Sequence, residues 1–164
     1  VLQTYATQEI LKKYVGEVTT ADYIQERFKR KNVYLSYPNR YDNSFLKKWI
    51  YRLVMLPMRI RLDYIFSQFL RKYVNLTSNK FYSCKSLKSI AQNYDLLVTG
   101  SDQVWNSEYN GGVDETMFLG FANDKNKCIS YAASFGMSDL PEAEKILQSN
   151  CLINMKIYQK NKST

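Results

Sequence analysis

The sequence predicts an α/β fold built on a parallel sheet and interrupted by a basic helical insertion. Three observations carry this. Two apolar stretches, Leu96–Val98 and KCISYAASFG at 127–136, end on small residues and a glycine (Gly100, Gly136), as buried parallel strands do. A helical stripe at 1–14 runs directly into a β-branched segment, like a β-α-β unit that lacks its first strand. Charge is also segregated: residues 27–90 hold fifteen Lys or Arg and two acids (Asp42, Asp63), against eight bases and thirteen acids elsewhere.

The first element, VLQTYATQEILKKY (1–14), places Leu2, Ala6, Ile10 and Leu11 on one helical stripe, and Gly16 stops it. EVTTADY (17–23) follows as a short strand. Between Ser44 and Val74 the pattern becomes helical and basic. Phe45, Leu46, Trp49, Ile50, Leu53 and Val54 form one stripe, with Lys47, Lys48, Tyr51 and Arg52 facing away. A second stripe runs Leu62, Ile65, Phe66, Phe69, Leu70, Tyr73. Pro57 between them predicts a helical hairpin or two short helices. Charges recur too often for the ~18 to 20 apolar residues of a membrane span. Residues 86–92 read as a helical turn leading into the strand YDLLVTGSD (94–102), and ETMFLGFA (115–122) as a short extended piece. After the second strand, Ser138, Asp139 and Pro141 open a helix to about Gln148. The expected organisation is one domain over 1–150, with 27–90 as its basic, largely helical insertion, and an unstructured lysine-rich tail over 151–164.

Composition narrows the chemistry. The chain has 164 residues, 45% apolar and 23% charged, which suits a single globular domain. Histidine is absent. This chain therefore supplies no Ser-His-Asp triad, no Cys-His pair and no His-ligated metal site. Cys84, Cys128 and Cys151 are odd in number and lack CxxC spacing, which argues for a reducing compartment and against a disulfide framework or zinc. No metal site is expected. Neither a G-x-G-x-x-G nor a P-loop is present, and no acid pair suits a glycosidase. The start at Val1, without Met or a signal core, reads as the interior of a longer reading frame. The basic insertion suits nucleic acid, an anionic membrane or a polyanionic substrate, or is simply a solvated face. Its helical spacing favours packing plus solvated charge over a single-stranded nucleic-acid groove, so no nucleic-acid partner is expected.

Open parallel sheets bind ligands beyond the carboxyl ends of their strands. TGSDQVWN (99–106) lies there, with Ser101 and Asp102 as acceptors, Gln103 and Asn106 as amides and Trp105 as a flat face. Sugars take such a mixture, because hydroxyls need paired donors and acceptors while C–H faces stack on rings. SYAASFG (130–136) adds Ser130, Tyr131 and Ser134 as hydrogen-bonding groups at the second strand end. The same residues equally describe a turn in which Asp102 caps a helix and Trp105 belongs to the core.

Taken together, VLQTYATQEILKKYVGEVTTADY, YDLLVTGSDQVWN and MFLGFANDKNKCISYAASFG resemble the polysaccharide pyruvyl transferase family in order and spacing. The pairing of GSDQVWN (100–106) with ISYAASFG (129–136) is the specific part, and 27–90 is the weakest. The resemblance implies the N-terminal half of a GT-B-like enzyme, with a cleft between two Rossmann-like halves. It implies transfer of the enolpyruvyl unit of phosphoenolpyruvate to two hydroxyls of a sugar, forming a pyruvate ketal on a cell-surface glycan without a cofactor. The family's N-Y-G-A element would precede Val1, and the tail after Gln148 departs from the usual continuation. Donor-gripping basic residues and a general-acid histidine come from the other half in this family, so the isolated chain is expected to be inactive. Its missing first strand leaves a sheet edge or gap, so marginal stability or association with a partner half is expected as well. The implied acceptor is a glycan or lipid-linked sugar, which places the protein in the cytoplasm, peripheral to an anionic inner membrane face. Ser101, Asp102, Gln103, Trp105, Asn106, Tyr131 and Ser134 are the expected substrate-binding residues, and no catalytic residue is assigned. Two alternatives stand beside this: a GT-B-like glycosyltransferase half using a nucleotide sugar, and a non-catalytic sugar-binding or orphan half-domain.

Overall fold

A buried glutamine, not a leucine stripe, fixes the first helix. In the computed structural model, which describes residues 1–100, 102–152 and 156–158, the chain divides into two units, residues 1–80 and 81–164. In the first, α1 (Leu2–Leu11) precedes β1 (Thr20–Tyr23), and β1 pairs with β2 (Leu76–Phe81). Gln8 of α1 is 1% exposed. Its Oε1 accepts from the Asn75 backbone N–H at 3.0 Å and from Thr20 Oγ1 at 3.2 Å. Beside it, the Tyr5 ring meets Phe69 and Tyr73 edge-on at 5.7 and 6.0 Å. The expected stripe is therefore turned the other way: Leu2, Ala6 and Ile10 are exposed, and Leu11 is half-buried. A face that satisfies strand-end polar groups and packs aromatics outcompetes one offering three aliphatic contacts. Gln8→Ala strands the Asn75 N–H and is expected to cost about 1–3 kcal/mol, read as a lowered thermal midpoint.

The basic region is one helix, α3 (Phe45–Tyr73), and not the hairpin or pair of helices that Pro57 suggests. The Ser44 side chain caps its start by accepting from the Lys47 N–H. Proline removes one backbone donor and crowds the preceding turn. The two sides of Pro57 are nevertheless held to the same short segment, α2 (Arg30–Leu35) and the residues after it. Arg52, before the proline, donates from Nε to the Leu35 carbonyl at 2.9 Å. Arg59, after it, donates to the carbonyls of Tyr34 and Ser36 at 3.0 and 2.9 Å. Asp63, a turn further on, accepts from Tyr34 Oη and Arg30 Nε, both at 2.9 Å. The last carbonyls of a helix have no intrahelical donors, and here the arginines of α3 supply them. Lys48 and Arg52 also lie over the Tyr37 ring, at 4.7 and 4.9 Å from its centroid.

This use of the arginines reverses the expected orientation. Lys48, Tyr51 and Arg52 are half-buried, whereas Phe45, Leu46, Trp49, Ile50, Leu53 and Val54 are exposed. Among the described residues no helix is long and apolar enough to cross a membrane.

The second unit bears out the parallel sheet. α4 (Cys84–Ala91) opens with Ser83 and Ser86 capping each other's backbone and buries Leu87 and Ala91. β3 (Leu97–Thr99), β4 (Cys128–Tyr131) and β5 (Lys156–Tyr158) form a parallel sheet in that order. The register pairs Leu97 with Cys128 and Thr99 with Ser130, then Ile129 with Lys156 and Tyr131 with Tyr158. Two expectations need correction. The stretch 115–122 is not extended: Glu115–Phe118 is a 3-10 turn whose first residues are capped by the Asp114 carboxylate. The chain from 151 onward also carries structure, since α6 (Glu142–Leu152) runs past Gln148 and β5 extends the sheet. Three residues of strand leave too short a pattern to read in a lysine-rich sequence. Residues 153–155 and 159–164 of that tail lie outside the described residues.

Cys84 and Cys128 are free thiols. Burial pushes both above the usual thiol range, reinforced at Cys84 by the Glu115 carboxylate and opposed at Cys128 by Lys125. Tyr34 in the first unit is likewise raised, by burial first and by its bond to Asp63 second. All three favour the neutral form in the folded state. Their contribution is fully present below the ordinary values of 9.0 and 10.0 and is lost as pH rises through the folded values. The thermal midpoint should therefore hold from pH 7 to about 9 and fall above it, which a thermal-shift series would record.

Candidate functional site

The site is assembled where β3 and β4 end. After Thr99 the backbone passes through Gly100 at φ +142°, so close to β4 that a Cβ there would overlap the Tyr131 carbonyl oxygen. Asp102 follows in the left-handed region at φ 66°, and Ala132 on the opposing loop does the same at φ 49°. The loops then continue the sheet's pairing beyond the strands. Asp102 N–H donates to the Ala132 carbonyl at 2.9 Å, Ser134 N–H to the Asp102 carbonyl at 2.8 Å, and Trp105 N–H to the Ser134 carbonyl at 3.2 Å. Asp102 and Ala133 form a parallel bridge. Left-handed conformations at non-glycine residues cost about 1–3 kcal/mol each and gather at functional sites. Two of them face each other here, in a lip made of two strand-end loops.

The predicted site residues divide into three layers. Asp102, Gln103 and Ser134 are exposed on the lip, and Tyr131 is half-buried at the end of β4. Behind them, Asn106 is buried and holds two neighbours. Its Oδ1 accepts from the Tyr109 N–H at 2.9 Å, capping α5 (Ser107–Asn110), and its Nδ2 donates to Gln103 Oε1 at 3.0 Å. The helix cap in this segment is thus Asn106 and not Asp102. Gln103 in turn lies across Gly136, where a Cβ would collide with its side chain. Ser101 lies outside the described residues.

Beneath the lip sits Trp105, 3% exposed. Its ring stacks on Phe118 at 5.4 Å with 9° between planes, and Phe135 adds a tilted contact at 5.2 Å. Its Nε1 donates to the Met117 carbonyl at 3.0 Å, which also accepts from Thr99 Oγ1 at 2.7 Å. Of the two roles the sequence leaves open for this ring, the structure has the core one, and the face expected to stack on a sugar is covered by Phe118. An open concavity of about 480 Å³ runs beside the lip, lined among others by Trp105, Ser134, Phe135, Gly136 and Ser138. Ser130, offered by the sequence as a hydrogen-bonding residue at the second strand end, lies deeper than the lip. It is 1% exposed at the centre of the sheet, and its Oγ has no hydrogen-bond partner among the described residues.

Asp102 gives the lip a carboxylate, and the cations nearest in sequence are directed elsewhere. Lys125 and Lys127 flank the opposite end of β4 and donate to the carbonyls of Leu119 and Tyr94, at 3.0 and 3.1 Å. Neutral hydroxyl and amide groups beside one acid suit a polyhydroxyl ligand better than a phosphate.

The family model for polysaccharide pyruvyl transferase matches residues 1–152 of the 164-residue chain. The chain belongs to the polysaccharide pyruvyl transferase family. No curated protein and no solved structure matches it significantly. The pyruvyl transferase match takes in both loops of the lip and the whole of α3, so the basic helix lies inside the matched region.

Proposed function

We propose that this chain is the acceptor-sugar side of a cytoplasmic pyruvyl transferase, one half of a GT-B-like pair whose other half grips phosphoenolpyruvate. The observation that carries the reading is the hydrogen-bonded lip, which presents Asp102, Gln103 and Ser134 together and holds no lysine or arginine among its described residues. In the reaction, C3 of phosphoenolpyruvate is protonated and one sugar hydroxyl adds to C2. A second hydroxyl displaces the phosphate from C2, closing the ketal. Of the two hydroxyl protons released, one balances the proton taken by C3 and the other leaves with inorganic phosphate. Phosphate binding and protonation call for cations and an acid, which this reading assigns to the other half. The lip's work is to hold two hydroxyls of one sugar in register for successive attack on one carbon. Ser101, Tyr131 and Asn106 complete the proposed acceptor set, with Trp105 supporting it from below. The acceptor is a glycan or lipid-linked sugar presented at the inner face of an anionic membrane.

The decisive experiment supplies the two-half protein with phosphoenolpyruvate and a nitrophenyl or lipid-linked sugar. Acceptor-dependent phosphate release is expected, and residues 1–164 alone should give none. Turnover of a nucleotide sugar with no release from phosphoenolpyruvate would establish the glycosyltransferase alternative instead. Asp102→Asn keeps a residue at home in the left-handed region and removes the carboxylate's charge. It should raise the acceptor KM about tenfold, as expected for losing a hydrogen bond to a charged group, and leave the phosphoenolpyruvate KM unchanged.

A further inference from the structure

The outward face of α3 has a composition its own unit does not explain. Phe45 is 76% exposed, Leu46 69%, Leu53 66% and Val54 70%, with Trp49 and Ile50 between them. At 100° per residue these six side chains fall within one half of the helix circumference. The helix is not free to roll and hide them, because Arg52, Arg59 and Asp63 fasten its other side to Tyr34, Leu35 and Ser36. Beyond Pro57 the same outward line passes through Ile60, Arg61, Tyr64, Gln68 and Arg71, all exposed, with Lys47 and Lys72 at its margin. One side of α3 is thus apolar for about three turns, and carries arginines beside Ile60 and Tyr64 over the later ones.

We propose that this face docks onto an anionic lipid bilayer, with its first three turns inserted among the acyl chains and the arginines of the later turns on the headgroups. An interfacial helix has this composition: Trp, Phe and Leu on the inserted side, and Lys or Arg where the headgroups lie. Charge complementarity selects the occupant. A second copy of this chain would bring its own +8 against a segment that carries fifteen bases and two acids. A bilayer containing phosphatidylglycerol offers apolar depth and negative charge at once. Lys48, Arg52 and Arg59 take no part, since they are committed to α2 and Tyr37. The proposal extends the membrane-surface placement made above. It rests on α3 alone, so it stands or falls separately from the transferase chemistry.

The chain contains two tryptophans, and their surroundings make the test direct. Trp49 is exposed and should shift its emission to the blue on insertion, whereas Trp105, already 3% exposed, serves as an internal reference. The protein is titrated with phosphatidylcholine vesicles, with and without phosphatidylglycerol, at low and physiological salt, and co-sedimentation is measured in parallel. A blue shift and pelleting are expected with phosphatidylglycerol only, weakened but not abolished by salt. Leu53→Glu should lower the affinity at least tenfold, given about 1.5–3 kcal/mol for burying a leucine. Each of Lys47→Gln and Arg61→Gln should lower it about fivefold, as for one basic residue at an anionic surface. Circular dichroism of these surface variants should match the parent. Absence of a blue shift with either vesicle, or equal pelleting with both, would overturn the proposal. So would concentration-dependent self-association, without lipid, that Leu53→Glu abolishes, because the face would then be an interface between copies.

Discussion

Alanine at Gly100 is expected to unfold the second unit at temperatures where the parent is intact. The added Cβ has to occupy the position of the Tyr131 carbonyl oxygen, and the backbone stays at φ +142°. Left-handed strain and forced overpacking each cost about 1–3 kcal/mol. A combined loss of about 3 kcal/mol or more corresponds to a fall on the order of 15 °C for a unit of this size. Two other glycines separate the causes. Gly112 shares a positive φ of +128° but has nothing within 4 Å of a Cβ, so Gly112→Ala reports the strain alone. Gly16 has neither problem, and Gly16→Ala should be neutral or stabilise by about 0.4–1 kcal/mol through the unfolded chain. Differential scanning fluorimetry should rank the midpoints Gly16→Ala, Gly112→Ala, Gly100→Ala in falling order. A Gly100→Ala midpoint at or above that of Gly112→Ala would refute the close approach of β3 to β4.

Truncating Trp105 should be at least as damaging. Trp105→Ala removes the ring stacked on Phe118 and Phe135, along with the donor to the Met117 carbonyl. Losses of about 3–5 kcal/mol are usual for a buried aromatic. Trp105→Phe keeps the stack and loses the hydrogen bond, which is worth about 1 kcal/mol. The pair of variants also decides what the ring is for. As a core residue, Trp105→Phe lowers the thermal midpoint by a few degrees and leaves the acceptor KM of the active protein unchanged. A rise in KM at constant midpoint would return Trp105 to the sugar.

Much of the second unit was legible in the sequence because its signals are local. The β3 and β4 runs stop at Gly100 and Gly136, and the polar residues after each run fall at the strand ends, where they meet on the lip. What stayed hidden was decided at a distance. GSDQVWN reads identically whether Trp105 faces a sugar or Phe118, which lies thirteen residues further on. A helical pattern reveals that α3 has two faces but not which of them its own unit will take. That choice was made by the unpaired carbonyls at the end of α2, a six-residue helix with no strong signature of its own. The burial of Gln8 has no local signal, because its partners, Thr20 and Asn75, come from two different strand ends. β2 and β5 are short and largely polar, and no alternation marks them.

The contact between Gln103 and Gly136 constrains how this protein can change across generations. A larger residue at 136 displaces Gln103, and releasing Gln103 removes an acceptor from Asn106, which also caps α5. Positions 103, 106 and 136 are therefore epistatic: under the proposed acceptor role, a substitution at one of them that suits a new sugar is penalised until a second restores the fit. Ser134 is the exception, since it joins the lip through its backbone and leaves its side chain open to variation. Libraries aimed at new acceptor preference should saturate Ser134 singly, and should vary 103 and 136 only in combination.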